Sequence, residues 1–213
     1  MSSSDDSGAP AGHVLGRSAS TGFRPDDAGP DVQGAPDVDA EGWMSGIARG
    51  ASPHCDPRPD GMPVELLVIH NISLPPGQFS GDAIADLFLG RLDCDAHPYY
   101  ERLRGVRVSA HFLVRRDGNT LQFVPCSRRA WHAGESRWRD RTRCNDFSIG
   151  IELEGTDEVP FTDAQYVTLN RLVDRLRTTY PIVDITGHSD IAPGRKTDPG
   201  PWFEWGRVGA SQD

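Results

Sequence analysis

Five consecutive residues, Leu66-Leu67-Val68-Ile69-His70, constrain the fold of this chain more than any others. Four apolar side chains in a row leave no polar face, so the segment suits a strand covered on both sides, deep in a sheet. It ends on a histidine, and beyond Asn71 the chain turns onto a loop at Pro75-Pro76-Gly77. Phe147 to Leu153 is a second such run, with Gly150 inside it. Val108 to Val114 and Thr120 to Val124 flank Asp117-Gly118, which predicts a hairpin because glycine tolerates a positive φ. Ser80 is placed to cap a helix through Leu89, with Gly90 as its stop. Thr162 and Gln165 fit a capping box ahead of Tyr166, Leu169, Leu172, Val173 and Leu176, a helical spacing that Pro181 ends. Residues 91–105 read as irregular, and Ile182 to Ile185 as a last strand leading into Thr186-Gly187-His188. Strands that come both as a hairpin and separated by helices predict an α/β fold, a mixed central β-sheet flanked by helices.

The first forty residues stand apart. They hold six Gly, four Pro, six Ser and six Ala, with Phe23 as the one aromatic and seven Asp against two Arg. Such a segment cannot bury enough apolar surface to offset its ordering entropy, so residues 1–40 are expected to be a disordered extension and 41–213 the folding unit. The start, Met1-Ser2-Ser3-Ser4-Asp5-Asp6, has neither the basic nor the apolar region of a secretory signal, and no run approaches the roughly 20 apolar residues of a membrane helix. Cysteines at 55, 94, 126 and 144 offer no Cys-x-x-Cys, which predicts free thiols. A cytoplasmic monomer without membrane contact is the expectation. The net charge of −9 argues against nucleic acid as the main partner.

Of seven histidines, two lie where open sheets present active groups: His70 at a strand end, and His188 after Gly187 at the mouth of a loop. His13 and His54 read as solvated, His97 as structural and His111 as a satisfied core histidine. The loop after His188 is stiffened by Pro193, Gly194, Pro199, Gly200 and Pro201 and carries Asp198. Two imidazoles and a carboxylate are a common catalytic zinc set, while Asp198 as a plain turn cap is the alternative. Lys196, the one lysine beside 21 arginines, lies two residues from Asp198. A site needing a compact cation near a developing oxyanion favours lysine over the broad guanidinium. Glu152 and Glu154 share one face of their strand, where a carboxylate is either a general base or a solvent-facing edge. Eleven arginines fall within residues 101–143, a stretch of net +7 that suits a ligand with several carboxylates, nucleic acid, or an acid-paired surface.

Several segments together carry a resemblance. They are Leu67 to Gly77, Val108-Ser109-Ala110-His111, Arg115-Arg116-Asp117-Gly118, Arg129-Ala130-Trp131-His132-Ala133-Gly134, Arg143 to Asp157, and Thr186-Gly187-His188 through Gly200-Pro201. In this order they resemble the zinc N-acetylmuramoyl-L-alanine amidases, a family that includes phage amidases and peptidoglycan recognition proteins. The likeness runs from about Glu41 to Arg207. It implies one Zn2+ per chain held by His70, His188 and Asp198, and a catalytic pair of Glu152 (general base and acid) and Lys196 (oxyanion). Asn71, Arg107, Trp131, Arg143 and Ala192 are implied as substrate contacts. Asp198 stands where many phage amidases and recognition proteins carry Cys. That favours the branch cutting between 1,6-anhydro-N-acetylmuramic acid and L-alanine of muropeptides during peptidoglycan recycling. Two rivals remain: a non-catalytic muropeptide-binding module, and a secreted or phage-type amidase acting on intact wall. A complete metal set with Glu152 and Lys196 weighs against the first, and the start of the chain against the second.

Overall fold

A computed structural model describes residues 38–209. The extension expected over residues 1–40 lies outside the described residues except for its last three. Those three belong to the folded unit, which therefore includes residues ahead of the expected start at Glu41: Val38 is buried, bridges to Met44 and joins the main core.

Six strands form the central sheet: β1 (Ala48–Arg49), β3 (Leu66–Ile72), β4 (Phe112–Val114), β5 (Thr120–Gln122), β9 (Ser148–Glu154) and β10 (Asp184–Gly187). Their spatial order is β1-β5-β4-β9-β3-β10. Only the β4–β5 hairpin is antiparallel, around Gly118 at φ +85°. The other pairings are parallel, so the expected mixed sheet is present, with β4 and β9 at its centre and β3 interior between β9 and the edge strand β10. Two small ribbons, β2 (Cys55–Pro57) with β6 (Arg128–Ala130) and β7 (Arg137–Trp138) with β8 (Arg141–Thr142), lie outside it.

The helix α2 (Asp163–Thr179) starts on the predicted capping box: the Thr162 hydroxyl accepts from Gln165 N, and the Gln165 side chain accepts from Thr162 N. Its apolar stripe packs with Leu67, Ile69, Phe112, Val114, Ile149, Ile151 and Leu153 in one core. The opposite sheet face meets α1 (Ala83–Phe88) at one end and α3 (His188–Ile191) at the other.

Four local expectations shift. Ser80 does not cap α1, because Gly81 turns left-handed at φ +79° and the N-cap falls on Asp82, which makes no side-chain capping bond. The irregular stretch contains a 3-10 helix at Pro98–Leu103, whose His97 cap accepts from Tyr99 N. The last strand begins at Asp184 rather than Ile182, since regular pairing with β3 starts only at Asp184 opposite Leu66. His54 is buried, its Nδ1–H donating to the Val108 carbonyl, and it stacks beside Trp131. All four cysteines are free, and no helix among the described residues is long and apolar enough to cross a membrane.

Candidate metal centre and active site

Strand register assembles the site. In the parallel β3–β9 pair, His70 lies directly beside Glu152, and Leu113 of β4 lies on the far side of Glu152. Gly187 of β10 pairs with Ile69, so His188, the next residue, emerges beside His70. Three strands therefore deliver His188, His70 and Glu152 side by side near their C-terminal ends, where open parallel sheets present functional groups. Gly187 is needed at this turn, because a Cβ there would sit 2.9 Å from the Pro199 ring. The returning loop is tied by Ser189 N donating to the Asp198 carbonyl and brings the Asp198 carboxylate over both imidazoles.

The result is a nearly equilateral triangle. His70 Nδ1 and His188 Nδ1 are 2.9 Å apart, and each is 3.0 Å from Asp198 Oδ2. His188 Nε2 faces the Ala133 carbonyl at 3.1 Å, and a carbonyl can only accept, so Nε2 carries a hydrogen and in the neutral ring Nδ1 is bare. A bare nitrogen and a carboxylate oxygen 3.0 Å apart repel unless a cation lies between them. A tetrahedral ion with bonds of about 2.0–2.2 Å holds its ligands roughly 3.3 Å apart, close to this triangle. The donor set thus fits a divalent metal. The Asp198 carboxylate lies at the corner of this triangle, facing both imidazoles, and not over a turn N–H.

Glu152 lines the same cavity of about 300 Å³ as the three triangle residues and Lys196. Its Oε2 is buried with no hydrogen-bond partner among the described residues. Burial, and then the Asp198 charge, push its carboxyl well above the ordinary range, with Lys196 pulling the other way. Burial likewise lowers His70 to about 4, which keeps the imidazole neutral and available as a ligand at neutral pH. Glu154 plays a different part: its Oε2 accepts from Arg116 N, and Arg115 stands 3.6 Å from its Oε1. Neither carboxylate sits on a solvent-facing edge, because β9 is central.

The remaining expected contacts separate. Trp131 lines the cavity, its indole N–H donating to Asp56. Asn71 also borders it, yet its amide donates to Asp157 and to the Pro199 carbonyl, so it holds the loop of Asp198. Arg107 is exposed and outside the cavity wall. Arg143, paired with Asp146, and Ala192 line another groove with Glu135, Arg137 and Arg195. The Ala192 carbonyl accepts from Lys196 N, which shapes the turn that carries Lys196. The arginine-rich stretch is largely acid-paired: Arg104 with Glu101 and Asp95, Arg129 with Asp56 and Asp146, Arg141 with Glu65.

Two residues of the site carried no individual signal. His132 Nδ1 lies 2.9 Å from His70 Nε2. Arg58 threads beneath, donating to the carbonyls of Cys126, Asn145, Asp146 and Ser148, and burial lowers it to about 10. One trace of His132 was readable: a glycine inside an apolar strand marks a close approach, and a Cβ on Gly150 would sit 2.5 Å from the His132 ring. His111 is a satisfied core histidine, accepting from Gly150 N and facing the Arg128 carbonyl.

Comparison with known proteins identifies the family. The N-acetylmuramoyl-L-alanine amidase family matches residues 60–201. The 1,6-anhydro-N-acetylmuramyl-L-alanine amidase AmpD of Citrobacter freundii is 56% identical over 172 residues, covering 80% of this chain and 92% of the relative. AmpD of Escherichia coli is 56% identical over 169 residues, covering 78% and 92%. A crystal structure of a selenomethionine AmpD derivative superposes with a TM-score of 0.78 at 56% identity, covering 80% of this chain and 96% of that one. The fold is that of the AmpD relative, and the chain belongs to the N-acetylmuramoyl-L-alanine amidase family.

Proposed function

We propose that this chain is a zinc-dependent amidase of peptidoglycan recycling that hydrolyses the amide between 1,6-anhydro-N-acetylmuramic acid and L-alanine. The observation that carries the reading is the cavity shared by the His70–His188–Asp198 triangle, the partnerless Glu152 carboxylate and Lys196. The 1,6-anhydro-N-acetylmuramyl-L-alanine amidase activity of the AmpD relatives suggests its substrate. His70, His188 and Asp198 would hold one Zn2+ per chain, and a bound zinc supplies Lewis acidity and lowers the pKa of a water from 15.7 toward about 7.

The chain's own groups do the rest. Glu152 takes a proton from the attacking water as its oxygen bonds to the lactyl carbonyl carbon. Lys196 donates to the oxygen that gains charge. As the carbon–nitrogen bond breaks, Glu152 returns the proton to the departing L-alanine nitrogen, so atoms and charge balance. A buried carboxyl with no fixed partner suits both transfers, because no hydrogen bond holds it in one protonation state.

Leu74, Leu87, Phe88, Leu103, Val108 and Trp131 give the cavity an apolar wall. Such a wall suits a sugar whose 1,6-anhydro bridge has removed two hydroxyls. The groove of Arg143, Ala192 and Arg195 suits the carboxylates of the stem peptide. We read the enzyme as a cytoplasmic monomer, and fractionation and sedimentation address those two points. The deciding experiment is mass spectrometry of anhydro-muropeptide after incubation with zinc-loaded and with chelated protein. Release of free peptide by the loaded protein alone is expected. Intact muropeptide in both samples would refute the reading.

A further inference from the structure

We infer that His132 and Ser148 form a hydrogen-bond relay that fixes which ring nitrogen of His70 faces the metal. The inference rests on the reading of His70, His188 and Asp198 as ligands.

The Ser148 hydroxyl donates to the Cys144 carbonyl at 2.6 Å, and a carbonyl can only accept. That uses the one hydrogen the hydroxyl has. Its other neighbour, His132 Nε2 at 3.2 Å, must therefore be the donor, so His132 carries its hydrogen on Nε2. His132 Nδ1 is then a bare acceptor, and it faces His70 Nε2 at 2.9 Å. His70 in turn carries its hydrogen on Nε2 and leaves Nδ1 bare, which is the atom at the corner of the triangle with His188 Nδ1 and Asp198 Oδ2. His188 reaches the same state in one step through the Ala133 carbonyl. The two adjacent residues His132 and Ala133 thus set the tautomers of both imidazoles.

The surroundings hold this segment in place. Asn145 Oδ1 accepts from the backbone N–H groups of both His132 and Ala133, at 3.2 and 2.8 Å. Gly150 leaves the room the imidazole needs, since any Cβ there would overlap the ring. The rings of His70 and His132 meet edge to face, with centroids 5.0 Å apart. His132 touches no reacting atom in this scheme; it is a positioning residue. Outer-shell partners of metal-bound histidines typically contribute about 10–100-fold in metal affinity.

The test is nitrogen-15 NMR of the imidazoles in wild-type protein, metal-free and zinc-loaded, together with zinc affinity by chelator competition for wild type, Ser148→Ala and Ser148→Thr. In metal-free wild type, His70 and His132 should both show protonated Nε2 and bare Nδ1. Ser148→Ala should bind zinc about 10–100-fold more weakly and show His132 redistributed toward the Nδ1-protonated form, and Ser148→Thr, which keeps the hydroxyl, should restore both. A protonated Nδ1 on wild-type His70 overturns the relay, and this measurement needs no variant to fold. Ser148→Ala with unchanged tautomers overturns it too, whatever its affinity, because a loss of packing alone would leave them unmoved. Failure of wild type to bind zinc at all would strike the ligand assignment instead, and the tautomers would still be read independently.

Discussion

On the α2 side of the sheet, Leu67 and Ile69 of β3 and Ile149, Ile151 and Leu153 of β9 are all apolar and all buried. On the other side, the alternating residues of the same two strands include His70, Ser148, Gly150 and Glu152. Strand geometry sends successive side chains to opposite faces, so one pair of strands serves both purposes without compromise along its length. The first face gains from every methylene it hides, on the order of 25 cal/mol per Å². The second buries imidazoles and a carboxylate that lose water and recover little by packing, and Glu152 Oε2 recovers no hydrogen bond at all. What the contrast teaches is where to look for function in such a fold. It lies on the face where burial is spent on polar groups.

The largest effect should come from removing a corner of the triangle. Alanine at His70, His188 or Asp198 takes away one of only three protein bonds to the ion, and each variant should lose both bound metal and turnover. Full zinc occupancy by elemental analysis in any of them would remove that residue from the set. Next is Lys196→Arg, which keeps the charge but widens its carrier. Zinc content and melting temperature should hold while turnover falls by about 10²–10³-fold, the usual loss for an oxyanion donor. Turnover within about threefold of wild type would make Lys196 a surface charge. The other face should answer in the opposite currency. Leu169→Ala, in the middle of the α2 stripe, should cost about 2–5 kcal/mol of stability. Its turnover per folded molecule should stay close to that of wild type, and a large fall there would mean that the two faces are coupled. Smallest of all should be deletion of residues 1–37, whose composition supplies few apolar contacts, with melting temperature and turnover both nearly unchanged.

The interior of the sheet was legible because the apolar runs at Leu66–Ile69 and Phe147–Leu153 suit strands flanked on both edges, and because Thr162 and Gln165 announce α2. His70 and His188 were legible as strand-end histidines, and Asp198 as a carboxylate on a stiff loop. Their convergence was not, since the register of parallel strands is set by long crossovers rather than by a turn that can be read locally. The same reason hid the pairing of His70 with Glu152. Asn71 follows His70 on β3, so alternation aims it away from His70, toward Asp157 and Pro199. His132 lies in a segment with no periodicity, and its partners His70 and Ser148 sit on two different strands. Only Gly150 recorded its presence.

The division of the two faces is tested most directly by Glu152→Gln, measured in the zinc-replete protein as turnover and melting temperature together. The substitution keeps shape and removes a buried carboxylate that has no hydrogen-bond partner among the described residues. Zinc should stay bound, turnover should fall by at least about 10²-fold, the usual worth of a general base, and the melting temperature should stay level or rise. A variant that melts lower but turns over at the wild-type rate would contradict the account, because Glu152 would then be holding the fold together instead of moving a proton.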